Sequence, residues 1–197
     1  MNQKVLRKKL RERRLSLSQG QQQKAQAQLA NIVCSLPVFK ESQHIALYLT
    51  NDGEINPATI AETAWQQNKT CYLPVIDKPA KGDMYFLPFD PETPMQNNQY
   101  GIPEPQLPDS MIFKAEELDL ILLPLTGFDE QGHRMGMGGG YYDRVLAFKQ
   151  TQIDDNKKPL LMGLAHECQK VASLIANDWD IILESIATPL TLYTPHS

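Results

Sequence analysis

The eight residues from Leu118 to Leu125, LDLILLPL, are almost continuously apolar. A run that short, apolar at successive positions, reads as a strand buried on both faces of a parallel sheet. Such a strand needs helical layers above and below it, and the rest of the chain supplies candidates. Lys4 to Leu36 is rich in Arg, Lys, Gln, Ala and Leu, interrupted at Ser18 and Gly20, which predicts two helices joined by a turn and ended by Pro37. His44 to Thr50 (HIALYLT) reads as a strand, then a loop through NDGE, then a helix opened by Pro57 and running through Trp65. Thr70 to Val75 and Met84 to Phe89 read as further strands, with a turn at KPAKGD between them. Leu160 to Ala165 and Ile181 to Ala187 complete the set. Residues 90–110 carry too many prolines for a helix or a central strand, and a loop that long suggests binding, with Tyr100 and Ile102 as tie-downs. The expected fold is a three-layer α/β/α domain with a mostly parallel central sheet, one domain over residues 1–197.

The three cysteines, Cys34, Cys71 and Cys168, are far apart and form no CxxC pair, which argues against a disulfide framework or a structural zinc site. A reducing cytoplasm is the expected setting. No apolar run approaches the roughly 20 residues needed to span a bilayer, and the first residues are charged rather than apolar. The formal charge of −4 is unevenly spread, because residues 1–14 hold seven basic side chains and one acid. A basic arm on an acidic body suits a solvated helix face, nucleic acid, or the phosphates of a small ligand. The nucleic-acid reading lacks aromatic interleaving and any known module.

The chemistry concentrates in TGFDEQGHRMGMGGGYYDR, Thr126 to Arg144, directly after the buried strand. Gly136, Gly138, Gly139 and Gly140 fall within five residues. Glycines permit positive φ and close backbone approach, so a run of them can aim several N–H groups at one anion, although a plain flexible turn has the same composition. A helix expected from about Gly140 would add positive dipole character, and Arg134 stands where a guanidinium could fork onto phosphate. In open α/β sheets ligands sit at the carboxyl ends of strands, where this loop must be. It is not a P-loop, since Tyr141 and Tyr142 stand where Lys and Ser/Thr are needed, and a G-x-G-x-x-G reading fails at Tyr141. Asp143 suits either a magnesium ion beside polyphosphate or a helix-start role. Tyr141 and Tyr142 suit ring stacking or core filling, one of each by helical alternation.

GFDEQGHRMGMGGGYYDR, preceded by DLILLPL, resembles the signature of the 5-formyltetrahydrofolate cyclo-ligase family, also called methenyltetrahydrofolate synthetases. The similarity takes in LRKKLRERR, YLTNDGEI, IPEP and WDIILESIATP. It implies an ATP- and magnesium-dependent conversion of 5-formyltetrahydrofolate to 5,10-methenyltetrahydrofolate, by a monomer with no nucleic-acid or membrane partner. It also implies roles: Lys4, Arg7 and Lys8 on the nucleotide phosphates, Arg134 through Tyr141 (Met135, Gly136, Met137, Gly138, Gly139, Gly140) as the ATP loop, and Lys4, Arg7 and Arg134 in catalysis. Thr50, Glu54, Phe86, Tyr100 and Tyr141 are implied on the folate, with Glu54 accepting from the pterin edge. Asp143 and Glu184 are implied as magnesium carboxylates. A non-catalytic folate- or nucleotide-binding regulator on the same fold is the alternative.

Overall fold

The computed structural model describes residues 2–76, 84–151, 158–175, 177 and 180–195. The turn expected at KPAKGD lies outside the described residues. In chain order the elements are α1 (Gln3–Leu15), α2 (Gln19–Ser35), α3 (Pro37–Glu41), β1 (His44–Ala46), α4 (Ala58–Gln66), β2 (Thr70–Ile76), β3 (Met84–Phe89), β4 (Met95–Asn97) and β5 (Pro103–Pro105). They continue with β6 (Leu120–Pro124), β7 (Gly127–Phe128), β8 (Arg134–Met135), α5 (Tyr141–Val145), β9 (Leu160–Leu164), β10 (Ser185–Ala187) and β11 (Leu192–Tyr193), with short 3-10 turns between.

The main sheet runs β11-β10-β9-β6-β1-β2-β3. Its five inner strands are parallel, and β3 and β11 close the edges antiparallel. The apolar run Leu118–Leu125 supplies β6, the middle strand, whose Leu120, Ile121, Leu122 and Leu123 are all 0% exposed. Alternate side chains reach opposite layers: Leu120 and Leu122 pack with α2, α3 and α4, while Ile121 and Leu123 pack with Phe86, Leu118 and Leu146. Five residues with both faces covered remove several hundred Å² of apolar area from water, at about 25 cal/mol per Å².

Ser18 caps α2 by a reciprocal capping box with Gln21, and its hydroxyl accepts from the Gln21 N–H at 3.3 Å. Pro37 stops α2 as expected but also opens α3, since a first-turn proline forfeits no helical hydrogen bond. The proline-rich stretch 90–110 is ordered as the separate hairpin β4–β5. The layer expected after the glycine run is short: α5 has five residues, so little macrodipole stands behind its start. Among the described residues, the crossover from β6 to β9 consists of the β7–β8 hairpin, α5 and a 3-10 turn.

Candidate functional site

The parallel strands β1, β2 and β6 all release their carboxyl ends into one cleft of about 430 Å³. Tyr48, Asp52 and Glu54 reach it beyond β1, Pro74 and Ile76 from β2, and Thr126 beyond β6. The same cleft is lined by the glycine loop, Gly136 to Gly140, continued by Tyr141, Tyr142 and Asp143. The sheet topology therefore brings two loops far apart in sequence to one cleft.

The loop is held at its base by a buried carboxylate. Asp129, 0% exposed, accepts from the N–H groups of Gln131 and His133 at 3.1 Å each and of Leu174 at 2.8 Å, and pairs with His133 Nδ1 at 3.0 Å. His133 thus has a structural part, bracing the turn through Asp129. Beyond β8 the chain needs glycine where φ is positive, at Gly138 (+99°) and Gly140 (+65°). Gly138 sits over Arg7, whose Cζ would lie 3.6 Å from an added Cβ. Arg7 Nε donates to the Gly136 carbonyl at 2.8 Å, bringing a cation from α1 to the inside of the loop.

Helical spacing explains how α1 does this. Arg7, Leu10, Arg11 and Arg14 recur at three and four residues and share a face. Leu10 is 0% exposed and approaches Gly127 so closely that a Cβ there would meet its Cδ1 at 2.5 Å. Arg11 forks onto Asp52 at 2.6 and 2.9 Å. Arg14, fully buried, donates to the Asp52 carbonyl (2.7 Å), the Asp52 carboxylate (2.8 Å) and the Leu125 carbonyl (3.0 Å), and stands 3.8 Å from Glu54 Oε1. The hydrogen bond from Arg11, with further help from Arg14, holds the Asp52 carboxyl below its ordinary range against the effect of burial. Glu54 goes the other way. Burial raises it from 4.5 to about 7, with Arg14 and the Asn51 N–H opposing the rise.

Helical alternation does not cleanly divide the two tyrosines, since both line the cleft and both are partly buried against the core. Tyr142 faces inward, its hydroxyl pushed up by burial and then by Glu54, while the Tyr141 hydroxyl lies 3.0 Å from that of Tyr100. That contact links the 98–102 segment to the glycine loop. Arg134 lines the cleft but is largely committed, its guanidinium donating to Asp143 and to the Ile181 carbonyl with the side chain 7% exposed. Of the remaining expected residues, Lys4 and Lys8 point to solvent on α1, and Lys8 pairs loosely with Glu12 at 3.9 Å. Thr50 is exposed beside the cleft-lining Leu49 and Asn51. Two expectations fail. Phe86 is 0% exposed in the core beneath the sheet, because its face of β3 packs on Phe113 and Leu118, so it forms no wall of the cleft. Glu184 lies at the other end of β9, paired with Lys149 at 2.8 Å and accepting from the Leu161 N–H at 2.8 Å, which makes it a brace at the start of that inner strand.

Comparison with known proteins identifies the family. The 5-formyltetrahydrofolate cyclo-ligase family model matches residues 1–189. The chain belongs to that family. The Haemophilus influenzae 5-formyltetrahydrofolate cyclo-ligase is 39% identical over 181 residues, covering 92% of this chain and 94% of its own. The Escherichia coli K12 cyclo-ligase is 36% identical over 180 residues, covering 91% and 96%. The solution structure of Aquifex aeolicus 5,10-methenyltetrahydrofolate synthetase superposes with a TM-score of 0.83 at 27% identity, covering 100% of this chain and 94% of its own. Family membership makes the chain an enzyme, a cyclo-ligase, and displaces the non-catalytic alternative.

The cyclo-ligase site holds residues that the sequence reading passed over. Arg11, Arg14 and Asp52 were legible only as part of a basic run and a turn, and the available signal was the three- and four-residue spacing of the arginines around Leu10. For magnesium, among the described residues no group of three or more His, Cys, Asp or Glu side chains is placed to hold an ion. Asp143, 34% exposed and lining the cleft, is one available carboxylate. That donor set fits an ion carried mainly by phosphate oxygens and water with one protein carboxylate, the usual habit of magnesium.

Proposed function

We propose that this cyclo-ligase converts 5-formyltetrahydrofolate to 5,10-methenyltetrahydrofolate with ATP as co-substrate, releasing ADP and phosphate. The observation that supports it is that two unlike segments line one cleft. A glycine loop backed by Arg7 suits a triphosphate, and a mostly buried acid, Glu54, lining the same cleft suits the donor-rich edge of a pterin.

An amide-like formyl oxygen is a poor leaving group, which is the reason for coupling to a nucleotide. In the proposed sequence the formyl oxygen attacks the γ-phosphorus and ADP departs. N10 then attacks the formyl carbon, loses its proton, and the C–O bond breaks to release phosphate. No side-chain nucleophile is needed, so the three free cysteines, none lining the cleft, have no covalent part. The protein's work is positioning and charge stabilisation in a site sheltered from water. Arg7 and the loop N–H groups between Met135 and Tyr141 orient the phosphates; Lys4, about one helical turn before Arg7, and Lys8, next to it in sequence, join from the solvent side. Arg134 keeps Asp143 aimed into the cleft. Bound magnesium would neutralise phosphate charge there, with Asp143 as its protein ligand. Glu54, with Thr50 on the same turn, orients the pterin, and Tyr100 and Tyr141 close over it. Three unpaired cysteines and the lack, among the described residues, of a helix long and apolar enough to cross a membrane support work in a reducing cytoplasm.

The test is the absorbance of 5,10-methenyltetrahydrofolate formed from 5-formyltetrahydrofolate with and without ATP. Product appearing only with ATP, in step with ADP, is expected. Absence of ATP-dependent product from folded protein would end the proposal.

A further inference from the structure

We propose that Arg14 is a positioning residue for the reaction: from inside the fold it pins the Asp52–Glu54 turn to the end of β6 and so sets where the Glu54 carboxyl meets the folate. The inference rests on the reading of Glu54 as the pterin-side acid.

A guanidinium with no solvent exposure is costly, and a buried ion pair is often no more stabilising than apolar side chains of the same volume. Stability alone therefore gives little reason for an arginine here. Its geometry gives a better one. Nε and Nη2 take the carbonyl and carboxylate of Asp52 at 2.7 and 2.8 Å, while Nη1 takes the Leu125 carbonyl at 3.0 Å. The Leu125 carbonyl also accepts from the Gln169 side chain, and the neighbouring Thr126 lines the cleft. One planar group thus spans the two strand ends that form the cleft floor. A lysine offers no such fork. The turn it holds is unusual in its backbone, with Asp52 at φ +54° followed by Gly53 at +74°. An aspartate in the left-handed region is tolerated rather than favoured, and here two arginines hold it in place. Glu54 follows two residues later, with Arg14 Nη2 3.8 Å from its Oε1.

The charged and titratable groups around Glu54 are Arg14 from α1, Asp52 on its own turn, Tyr48 beyond β1 and Tyr142 from α5. Arg11 acts at one remove through Asp52, and His166 at one remove through Arg14. Of these Arg14 contributes most to keeping Glu54 ionised, against burial. Removing it should both loosen the turn and make the carboxyl easier to protonate.

The experiment is a double-mutant cycle of Arg14→Gln with Glu54→Gln, reading the folate KM from pH 6 to 9 and the ADP dissociation constant. Expected for Arg14→Gln is a folate KM raised about tenfold, the effect of roughly 1.4 kcal/mol. The pH midpoint of kcat/KM moves upward and ADP affinity stays within about twofold. In the Glu54→Gln background the further change in folate KM shrinks to about twofold or less. If Arg14→Gln does not fold, Arg14→Lys carries the same cycle without the midpoint shift. Equal effects of the Arg14 change in both backgrounds, or loss of ADP affinity in step with the folate KM, would overturn the positioning role. A folate KM unmoved by Glu54→Gln alone would instead remove Glu54 from the substrate, and this proposal with it.

Discussion

Glu54→Gln should stabilise the unliganded protein at alkaline pH while weakening the folate site, and the size of the effect can be worked from the structure. The Glu54 carboxyl is raised from 4.5 to about 7, chiefly by burial. The folded state then binds a proton that the unfolded chain has released over that window, so stability falls as pH rises from about 4.5 to 7. At 1.36 kcal/mol per pH unit the loss is on the order of 3 kcal/mol. His166 works in the opposite sense. Burial first, then Arg14, lowers it from 6.5 to about 4, so its share of stability is present above pH 6.5 and lost on acidification toward 4. Between about pH 4.5 and 6.5 the two slopes oppose and nearly cancel, because the folded protein keeps its proton on Glu54 and the unfolded chain keeps its own on the histidine. Urea unfolding of the wild type across pH 4–8 should therefore show a plateau with a fall on each side. Glu54→Gln should replace the plateau by a rise from about pH 4 to 6.5 and be the more stable protein at pH 8, by up to about 3 kcal/mol. A variant no more stable than wild type at pH 8, or a wild-type curve that climbs steadily through pH 5–7, would refute the account of Glu54 as a desolvated acid.

Two further substitutions probe the nucleotide wall. Gly138→Ala forces an L side chain to φ +99° above Arg7, a strain of about 1–3 kcal/mol, and ADP should bind some 5- to 150-fold more weakly by calorimetry with little change in folate KM; unchanged ADP binding would show that the loop does not hold the phosphates. Asp143→Asn leaves Arg134 without its charged partner and should raise the magnesium concentration for half-maximal rate several-fold, whereas an unmoved titration curve would take Asp143 out of the metal's surroundings.

The sheet was the most legible part of the chain because burial on both faces leaves a continuous apolar run, and Leu118–Leu125 landed in the middle of the sheet. The ends of elements were less legible. His44–Thr50 reads as one strand, yet the paired strand is His44–Ala46 with one further ladder bond from the Leu47 N–H to the Tyr72 carbonyl at 3.0 Å, and Tyr48 and Leu49 beyond it line the cleft. The glycine loop was legible from composition and position together. Phe86 and Glu184 were misplaced because both stand in strands or at their ends, where the direction a side chain faces depends on register, and register is set by partners far away in sequence. Arg14 was missed because a buried cation looks like any other member of a basic run until its acceptors are placed around it.

The N-terminal helix decides whether the site exists at all. Four of its basic residues, Lys4, Lys8, Lys9 and Arg13, are exposed, while Arg7, Arg11 and Arg14 turn toward the glycine loop and the Asp52 turn. Its apolar contribution is small: Leu10 with Met135 and Leu174, flanked by Leu6 and Val171. A helix this polar gains little from propensity alone and is held mainly by that seam and its arginine contacts. Nucleotide bound against Arg7 and the loop would add contacts only the docked helix can make, and by linkage would stabilise docking by RT ln(1 + [L]/Kd), about 2.7 kcal/mol at a hundredfold excess over Kd. Without ADP the backbone amides of Leu6 to Arg14 should exchange hydrogen faster than those of β6, which open only by global unfolding, and with ADP both sets should slow by up to about a hundredfold, since neither the undocked nor the unfolded state binds nucleotide at Arg7. Equal protection of α1 and β6 without ADP would mean that the helix never undocks on its own, and absence of slowing in α1 would mean that the phosphates do not reach Arg7.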